Sequence, residues 1–504
     1  MLTLTMFSVL TRCLGFLYKI YLSRVMSTME LGVYNLTLSI YMVVITLVGS
    51  SIPLTISKIA TTNKTKNKEF NTNYSVTSSL ILSIGLALIT CFCILILKTP
   101  LIAIIGNNLG FQIIISLIPS IIFTAIYSQI RGYLWGYENY FAVSMVEFIE
   151  QILRIIFCMI FVTLNIFSSP VIAVGTALSI ACGISTLYGI ILYLKNGGKF
   201  KFKKGYFKEI IRSSAPLTGV RLFGSLINPT VSVLLPILLT SYGISKEIAL
   251  SELGIITGMS MPLLSIPSTI IGALCMVLVP RINSSINNNE NLNTQISNYI
   301  QFSIICLFIF LPIFIILGVP ICSYVFENLS AGLYLSFSAW IIIPMGISQI
   351  TSSILNALNQ EQKSFIYYII SSLFMLIAIF ILPQFVGIKA MTYSIGISSI
   401  VLSLLNIKKI KKLTGFSPKI INLLIVHLLL NLPIILITKL TYNCLNIIMT
   451  PFFAIAFSCV VCVLGYIALL FCFNILNFKS MQLFVSNFIK NKKVMVAKTK
   501  NGAK

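Results

Sequence analysis

Ionisable side chains inside apolar segments are the residues of this sequence best suited to bind a charged ligand. Arg12 and Lys19 are seven positions apart, with Gly15 between them, so a helix places them within about 20° on one face. Lys58 and Arg221 fall in two other apolar segments. A cation at the centre of a bilayer costs at least about 2.5 kcal/mol, so these side chains are expected to face protein or water. Because guanidinium forks bind phosphate oxygens in pairs, the predicted ligand is a phosphate or pyrophosphate group.

A second polar group lies in one apolar segment and comprises Glu147, Glu150, Gln151 and Arg154. Glu150 and Arg154 have the i, i+4 spacing of an intrahelical ion pair. One interpretation is a polar network that lines a cavity or couples transport to an ion, and the other is a buried structural ion pair. For Arg12, Lys19 and Lys58 the alternative to a ligand site is that their side chains extend toward the membrane interface.

The sequence contains no group of residues suited to covalent chemistry. It has no Asp, 11 acidic residues in total and a single histidine, His427, which is expected to be packed. No glycine-rich nucleotide loop that ends in Gly-Lys-Ser/Thr is present. The twelve cysteines, including Cys459 and Cys462, are expected to be small buried residues. These features favour a transporter over an enzyme, with no catalytic residue, metal or cofactor.

Composition places all of these residues in an all-α polytopic membrane protein. Of the 504 residues 57% are hydrophobic and 9% are charged, with a mean hydropathy of +1.00, which excludes a soluble protein. Hydropathy predicts fourteen transmembrane helices, at residues 3–26, 31–59, 74–97, 112–135, 141–166, 170–194, 214–242, 253–280, 299–321, 333–358, 364–383, 388–406, 419–440 and 450–476.

The placement of Lys and Arg predicts the orientation of these helices. If the N-terminus is cytoplasmic, the inside loops and tail contain about 25 cations and the outside loops about five. This asymmetry predicts a multi-pass protein of the cytoplasmic (inner) membrane, with both termini cytoplasmic. The basic loops are expected to contact anionic lipids rather than nucleic acid, because they are too short to fold into a nucleic-acid-binding module.

The longest basic loop, 195–213, divides the chain into two halves. It separates an N-lobe (1–194) from a C-lobe (214–406), each with six helices, and a helix pair (407–476) and a basic tail (477–504) follow. Weak internal similarity supports two pseudo-symmetric lobes, since Arg12 to Gly15 resembles Arg221 to Gly224. Several prolines are expected to interrupt helices, either as hinges or as ordinary kinks: Pro53, Pro229, Pro236, Pro262, Pro267 and Pro280.

Seven short motifs in series resemble a known family. They are Thr11-Arg12-Cys13-Leu14-Gly15-Phe16, Gly32-Val33-Tyr34, Ile52-Pro53-Leu54-Thr55-Ile56-Ser57-Lys58, Arg131-Gly132-Tyr133, Glu150-Gln151-Ile152-Leu153-Arg154, Pro216-Leu217-Thr218-Gly219 and Leu278-Val279-Pro280-Arg281. In this order they are similar to the stage V sporulation protein B family. That family belongs to the polysaccharide transporter and lipid II flippase branch of the multidrug/oligosaccharidyl-lipid/polysaccharide (MOP) exporter superfamily.

The resemblance implies a V-shaped exporter with two lobes and a C-terminal helix pair. It implies alternating-access translocation of an undecaprenyl-pyrophosphate-linked saccharide, such as lipid II, in spore cortex peptidoglycan synthesis. Arg12 and Lys19 resemble a cation pair on the first helix of lipid II flippases. The expected partners of this monomer are the lipid-linked saccharide, membrane lipids and cell-wall synthesis proteins, with no nucleic acid.

Two other functions remain open from the sequence. One is a cation-coupled multidrug antiporter of the same fold, and the other is a membrane scaffold for wall synthesis that does not transport. Antiport generally requires carboxylates within the membrane, and the absence of Asp leaves Glu147 and Glu150 beside Arg154 for that role. The antiporter is therefore the less favoured reading.

Overall fold

The fold is helical throughout the part of the chain that the structure describes. The computed structural model describes residues 2–49, 51–65, 69–203, 205–287, 292–415 and 420–475, and their regular secondary structure consists of helices. The prediction of an all-α polytopic protein is confirmed. The predicted basic tail, residues 477–504, lies outside the described residues.

The helices of the first 195 residues follow the predicted segments closely, with one division and one addition. They are α1 Leu2–Val25, α2 Thr28–Gly49, α3 Ile52–Thr65, α4 Glu69–Ile96, α5 Lys98–Ile105, α6 Asn108–Gly136, α7 Tyr140–Thr163 and α8 Pro170–Lys195. The predicted segment 31–59 is two helices, α2 and α3. Pro53 is the second residue of α3, where its missing N–H group costs no hydrogen bond.

The helices of the second part include three short non-α turns. The order is α9 Tyr206–Ser241, α10 Lys246–Gly254, a π-helix Ile255–Ser260, α11 Met261–Asn287, α12 Leu292–Val325, α13 Leu329–Ser338, a 3-10 turn Ala339–Ile341, α14 Ile342–Ala357, α15 Glu361–Ile381, α16 Pro383–Val386, a 3-10 turn Gly387–Lys389, α17 Ala390–Thr414, α18 Ile420–Ile448 and α19 Pro451–Cys472. Helix α9 begins at Tyr206, so its first two turns belong to the segment that was assigned to the 195–213 loop.

Twelve helical segments among the described residues are long and apolar enough to cross a membrane. The two other predicted spans are α1 and α7, which are 24-residue helices with three charged side chains each. Together these segments account for the fourteen predicted spans. Their charged residues distinguish α1 and α7 from the other twelve segments. These two helices contain most of the predicted site residues.

Four of the six prolines that are expected to act as hinges or kinks lie inside helices that continue through them. Pro229 and Pro236 lie inside the continuous helix α9, and Pro267 and Pro280 lie inside α11. Membrane helices tolerate proline because neighbouring helices and local adjustments satisfy the freed carbonyl groups. Pro53 lies at a break between helices, and Pro262 follows the π-helix directly.

The chain forms two compact units. The first comprises Met1–Leu263, Val325–Tyr334 and Phe365–Leu402, and it contains all eight predicted site residues. One part of its core lies where α3, α6, α8 and α9 meet, around the buried side chains of Ile56, Ile130, Leu134, Tyr193 and Ile210. The fixed packing of these helices positions the candidate site.

The second unit comprises Leu264–Tyr324, Leu335–Ser364 and Ser403–Lys504 and includes the α18–α19 hairpin. His427 is fully buried there, its Nδ1 atom lies 2.7 Å from the Tyr466 hydroxyl, and Phe308 stacks on its ring. The expectation that this histidine is packed is confirmed.

Within the first unit, α2 and α10 approach each other at their backbones. A Cβ atom added at Gly32 would overlap the Leu250 carbonyl, and one at Gly254 would overlap the Thr28 carbonyl. The Thr28 and Ser251 hydroxyls are hydrogen bonded across the same contact at 2.6 Å. Only glycine allows this separation, as is typical of membrane helices that pack through small residues.

We predict that Gly254→Ala destabilises the protein by about 1–3 kcal/mol, because the new methyl group forces α2 and α10 apart. The measurement is the thermal unfolding midpoint of the purified protein in detergent. Gly85→Ala is the matched control, since a Cβ atom there meets nothing within 4 Å and alanine favours the helix. Equal midpoints for Gly254→Ala and the control would contradict the close contact.

Candidate functional site

Arg12 and Lys19 lie on α1, and both are exposed. Gly15 is on the same side of the helix, and a Cβ atom added to it would lie 3.9 Å from Nε2 of Gln151. Gln151 is a buried residue of α7, which packs along α1. The cations of the first helix therefore lie beside the polar face of α7, so that two groups predicted separately adjoin each other.

Glu150 and Arg154 form the ion pair that their spacing predicts. The guanidinium Nη2 atom of Arg154 is 2.5 Å from Oε1 of Glu150, and the two side chains are 25% and 21% exposed. Charges this far from water need a close partner, because desolvation penalises an isolated ion. The pair therefore neutralises most of the charge that α7 would bring into the protein interior.

Polar side chains from three neighbouring helices surround Arg154 of α7. Tyr18 of α1, Tyr34 of α2 and Cys182 of α8 lie within electrostatic range of its guanidinium group. The buried Nε atom of Arg154 has no hydrogen-bond partner among the described residues. A donor of this kind is available to a water molecule or a ligand.

Glu147 pairs with a residue that the sequence analysis did not select. Its carboxylate lies 3.6 Å from the Arg131 guanidinium, and the same guanidinium lies over the ring of Trp135 at 4.8 Å. Arg131 was counted among the 25 cytoplasmic cations although it falls in the predicted span 112–135, and it lies within α6 and is partly buried. The signal in the sequence is the i, i+4 spacing of Arg131 and Trp135 near the end of α6. A short turn joins this end to α7, which contains Glu147.

Lys58 and Arg221 belong to the same compact unit but lie on other helices. Lys58 is exposed on α3 and Arg221 is exposed on α9, and these two helices pack against each other. Helix α2 contacts both α1 and α9. Lys58 and Arg221 therefore share a compact unit with the α1–α7 group, on helices that α2 links to it.

The charge balance of this region is positive. Among the predicted site residues and Arg131, the cations are Arg12, Lys19, Lys58, Arg131, Arg154 and Arg221, and the carboxylates are Glu147 and Glu150. Both carboxylates are engaged by arginines, so the remaining cations give a net positive potential. A region of this kind attracts an anion and repels a cationic compound.

Comparison with known proteins assigns the chain to a family. The family model described as "Polysaccharide biosynthesis protein" matches residues 1–286, more than half of the sequence. The chain belongs to this family. Stage V sporulation protein B of Bacillus subtilis (strain 168) is 24% identical over 56% of this chain and 57% of its own length, so the similarity spans little more than half of that relative.

Solved transporter structures share the fold. The lipid II flippase MurJ, in an inward closed conformation, matches with a TM-score of 0.73 and 15% identity over 97% of this chain and 100% of its own. An inward-facing MATE family multidrug resistance transporter of the MOP superfamily matches with a TM-score of 0.67 and 15% identity, over 81% and 96% of the two chains. These similarities confirm the predicted fold, which is that of the MOP exporters.

We predict that Arg154→Gln destabilises the protein by about 1–3 kcal/mol, because it leaves the half-buried Glu150 carboxylate without its counter-ion. Glu150→Gln/Arg154→Gln is expected to recover much of that loss, and thermal unfolding of the purified variants measures both effects. Arg24→Gln is the control, since the Arg24–Glu327 pair is 45% and 69% exposed and contributes little. A double variant no more stable than Arg154→Gln would contradict the pairing.

Proposed function

We propose that this protein is a flippase that moves a lipid-linked saccharide across the cytoplasmic membrane by alternating access. In this proposal Arg12, Lys19, Lys58 and Arg221 bind the pyrophosphate group, and the polyprenyl tail stays in the lipid. The observation that carries the proposal is the excess of cations on helices α1, α3, α7 and α9. On α7, Glu147 and Glu150 are already paired with arginines.

The chemistry of a polyprenyl pyrophosphate fits this arrangement. Its head group carries about two negative charges, which an apolar layer excludes unless cations accompany them. Arginine supplies paired donors for the phosphate oxygens, while lysine adds a mobile point charge. Glu147, Glu150, Gln151 and Arg154 then act as a polar network that holds the α7 face in position beside the anion.

The names of similar proteins support the choice of saccharide. One similar fold is that of a lipid II flippase, and one relative is named for stage V of sporulation. Together they support lipid II or a related wall precursor as the cargo, with spore cortex peptidoglycan as its destination. Both of these assignments belong to the proposal.

The multidrug antiporter reading is weaker than the flippase reading. An antiporter for cationic drugs needs a carboxylate that exchanges a proton or sodium ion for the drug. Glu147 and Glu150 are each engaged by an arginine. A guanidinium beside each carboxylate repels a second cation.

We predict that Arg12→Gln and Arg221→Gln each lower the rate of flipping about tenfold or more, because each removes a charged contact with the pyrophosphate. The assay follows translocation of a fluorescent polyprenyl-pyrophosphate saccharide in proteoliposomes. Arg12→Lys is expected to retain part of the rate, since it keeps the charge and loses only the paired donors.

Lys439→Gln is the matched control for these variants, because Lys439 is an exposed cation on α18 in the other compact unit. It is expected to flip at the wild-type rate. Wild-type rates for both Arg12→Gln and Arg221→Gln would remove the pyrophosphate site. Absence of flipping by the wild-type protein under the same conditions would favour the scaffold function.

Membrane potential is expected to accelerate the outward step. Two negative charges that leave a negative compartment gain about 4.6 kcal/mol per 100 mV, so no nucleotide is required. We predict that a potassium diffusion potential, negative on the donor side, raises the initial flipping rate in proteoliposomes. A rate independent of the potential would show that no net charge moves in the rate-limiting step.

A further inference from the structure

The segment between α8 and α9 alternates lysine and phenylalanine: Lys199, Phe200, Lys201, Phe202 and Lys203. We call these five residues the Lys-Phe strap. The segment has no regular secondary structure, and the two residue types alternate along it. All five residues are exposed, and the two phenylalanine rings are about half accessible. A segment of this type is suited to an interface between water and lipid.

The strap has a fixed position on α4. The Lys199 backbone N–H donates to Oδ1 of Asn73 at 3.2 Å, and the Lys201 backbone N–H donates to Oγ1 of Thr77 at 3.0 Å. Two residues of extended chain rise about 6.6 Å and four residues of helix about 6 Å, so the two bonds are in register. The strap therefore runs along the first turns of α4.

Aromatic contacts support this position on both sides of the strap. Phe200 packs on Tyr193, with ring centroids 5.1 Å apart, and Phe202 contacts Phe207 at 5.9 Å. The Lys203 ammonium lies 5.9 Å from the centre of the Tyr74 ring. The backbone and one edge of each ring are thus held by protein, while the exposed portions face outward.

Helix length places the strap at head-group depth. Helix α4 has 28 residues and is about 42 Å long, roughly 12 Å more than the hydrocarbon layer. The polar residues Asn71 to Thr77 begin the helix, so the excess length lies at that end. By the predicted orientation, this end faces the cytoplasm, whose leaflet carries anionic lipids.

We propose that the Lys-Phe strap is a binding site for the phosphate head group of an anionic phospholipid. The three lysine side chains contact the phosphate region, while Phe200 and Phe202 reach the upper acyl chains. This binding ties the α8–α9 connection to the membrane surface. The proposal does not depend on the cargo, because neither Arg12 nor Arg221 belongs to the strap.

The experiment measures which lipid contacts the strap in the full-length protein. Trp135 and Trp340 are replaced by phenylalanine, Phe202→Trp supplies the single fluorophore, and the protein is placed in nanodiscs. The readout is the ratio of quenching by brominated phosphatidylglycerol to quenching by brominated phosphatidylcholine at equal mole fraction. Leu432→Trp on the exposed apolar face of α18 is the reference position.

We expect the quenching ratio at position 202 to exceed the reference ratio about twofold or more, because anionic lipid concentrates at the lysines. Lys199→Gln/Lys201→Gln/Lys203→Gln is expected to reduce the ratio to the reference value, and the corresponding triple arginine variant is expected to retain it. The matched control is Lys408→Gln/Lys411→Gln/Lys412→Gln on α17, which removes the same charge from another exposed basic segment and is expected to change nothing.

Three results would overturn the proposal. The first is a quenching ratio at Phe202→Trp equal to the reference ratio in the protein with all three strap lysines intact. The second is an equal loss in the strap and α17 triple variants, since this would reflect only the general surface potential. The third is loss of the ratio on addition of inorganic pyrophosphate at constant ionic strength, which would identify a site for free phosphate anions instead.

Discussion

A charge in a hydrocarbon layer has to be paired, hydrogen bonded or hydrated, and this constraint organises the first compact unit. Helices α1 and α7 contain more ionisable residues than an ordinary membrane span allows. Glu147 and Glu150 meet arginines within 4 Å. The cations outside these pairs set the sign of the region, and that sign selects an anionic ligand.

Helix packing decides which of these charges are neighbours. Gln151 lies beside Gly15 of the first helix, and Gly32 and Gly254 allow α2 to approach α10 at the backbone. Helix α2 also contacts α1 and α9, which contain Arg12 and Arg221. Small residues thus bring together helices whose charged side chains are far apart in the sequence. The proposed pyrophosphate site depends on this packing as much as on the charges.

Much of the fold could be predicted because hydropathy reports directly on bilayer burial. The predicted segment 170–194 corresponds to Pro170–Lys195, and the i, i+4 spacing of Glu150 and Arg154 was sufficient to predict their ion pair. Hydropathy and residue spacing could not predict which side chains of different segments are in contact. The charge count grouped Arg131 with the cytoplasmic loops because it lies near the end of the predicted span 112–135. Its pairing with Glu147 depends on the turn between α6 and α7.

The proposed function requires Arg12 and Arg221 to face a water-filled cavity that receives the pyrophosphate. Thiol accessibility measures this directly. In a variant without its twelve native cysteines, Arg12→Cys and Arg221→Cys should react with a membrane-impermeant hydrophilic thiol reagent, and a lipid-linked pyrophosphate should slow both reactions. Phe380→Cys, at an exposed apolar position on α15, should stay unreactive. If cysteines at positions 12 and 221 are as inert as the one at 380, the two arginines face lipid and the transport proposal is wrong.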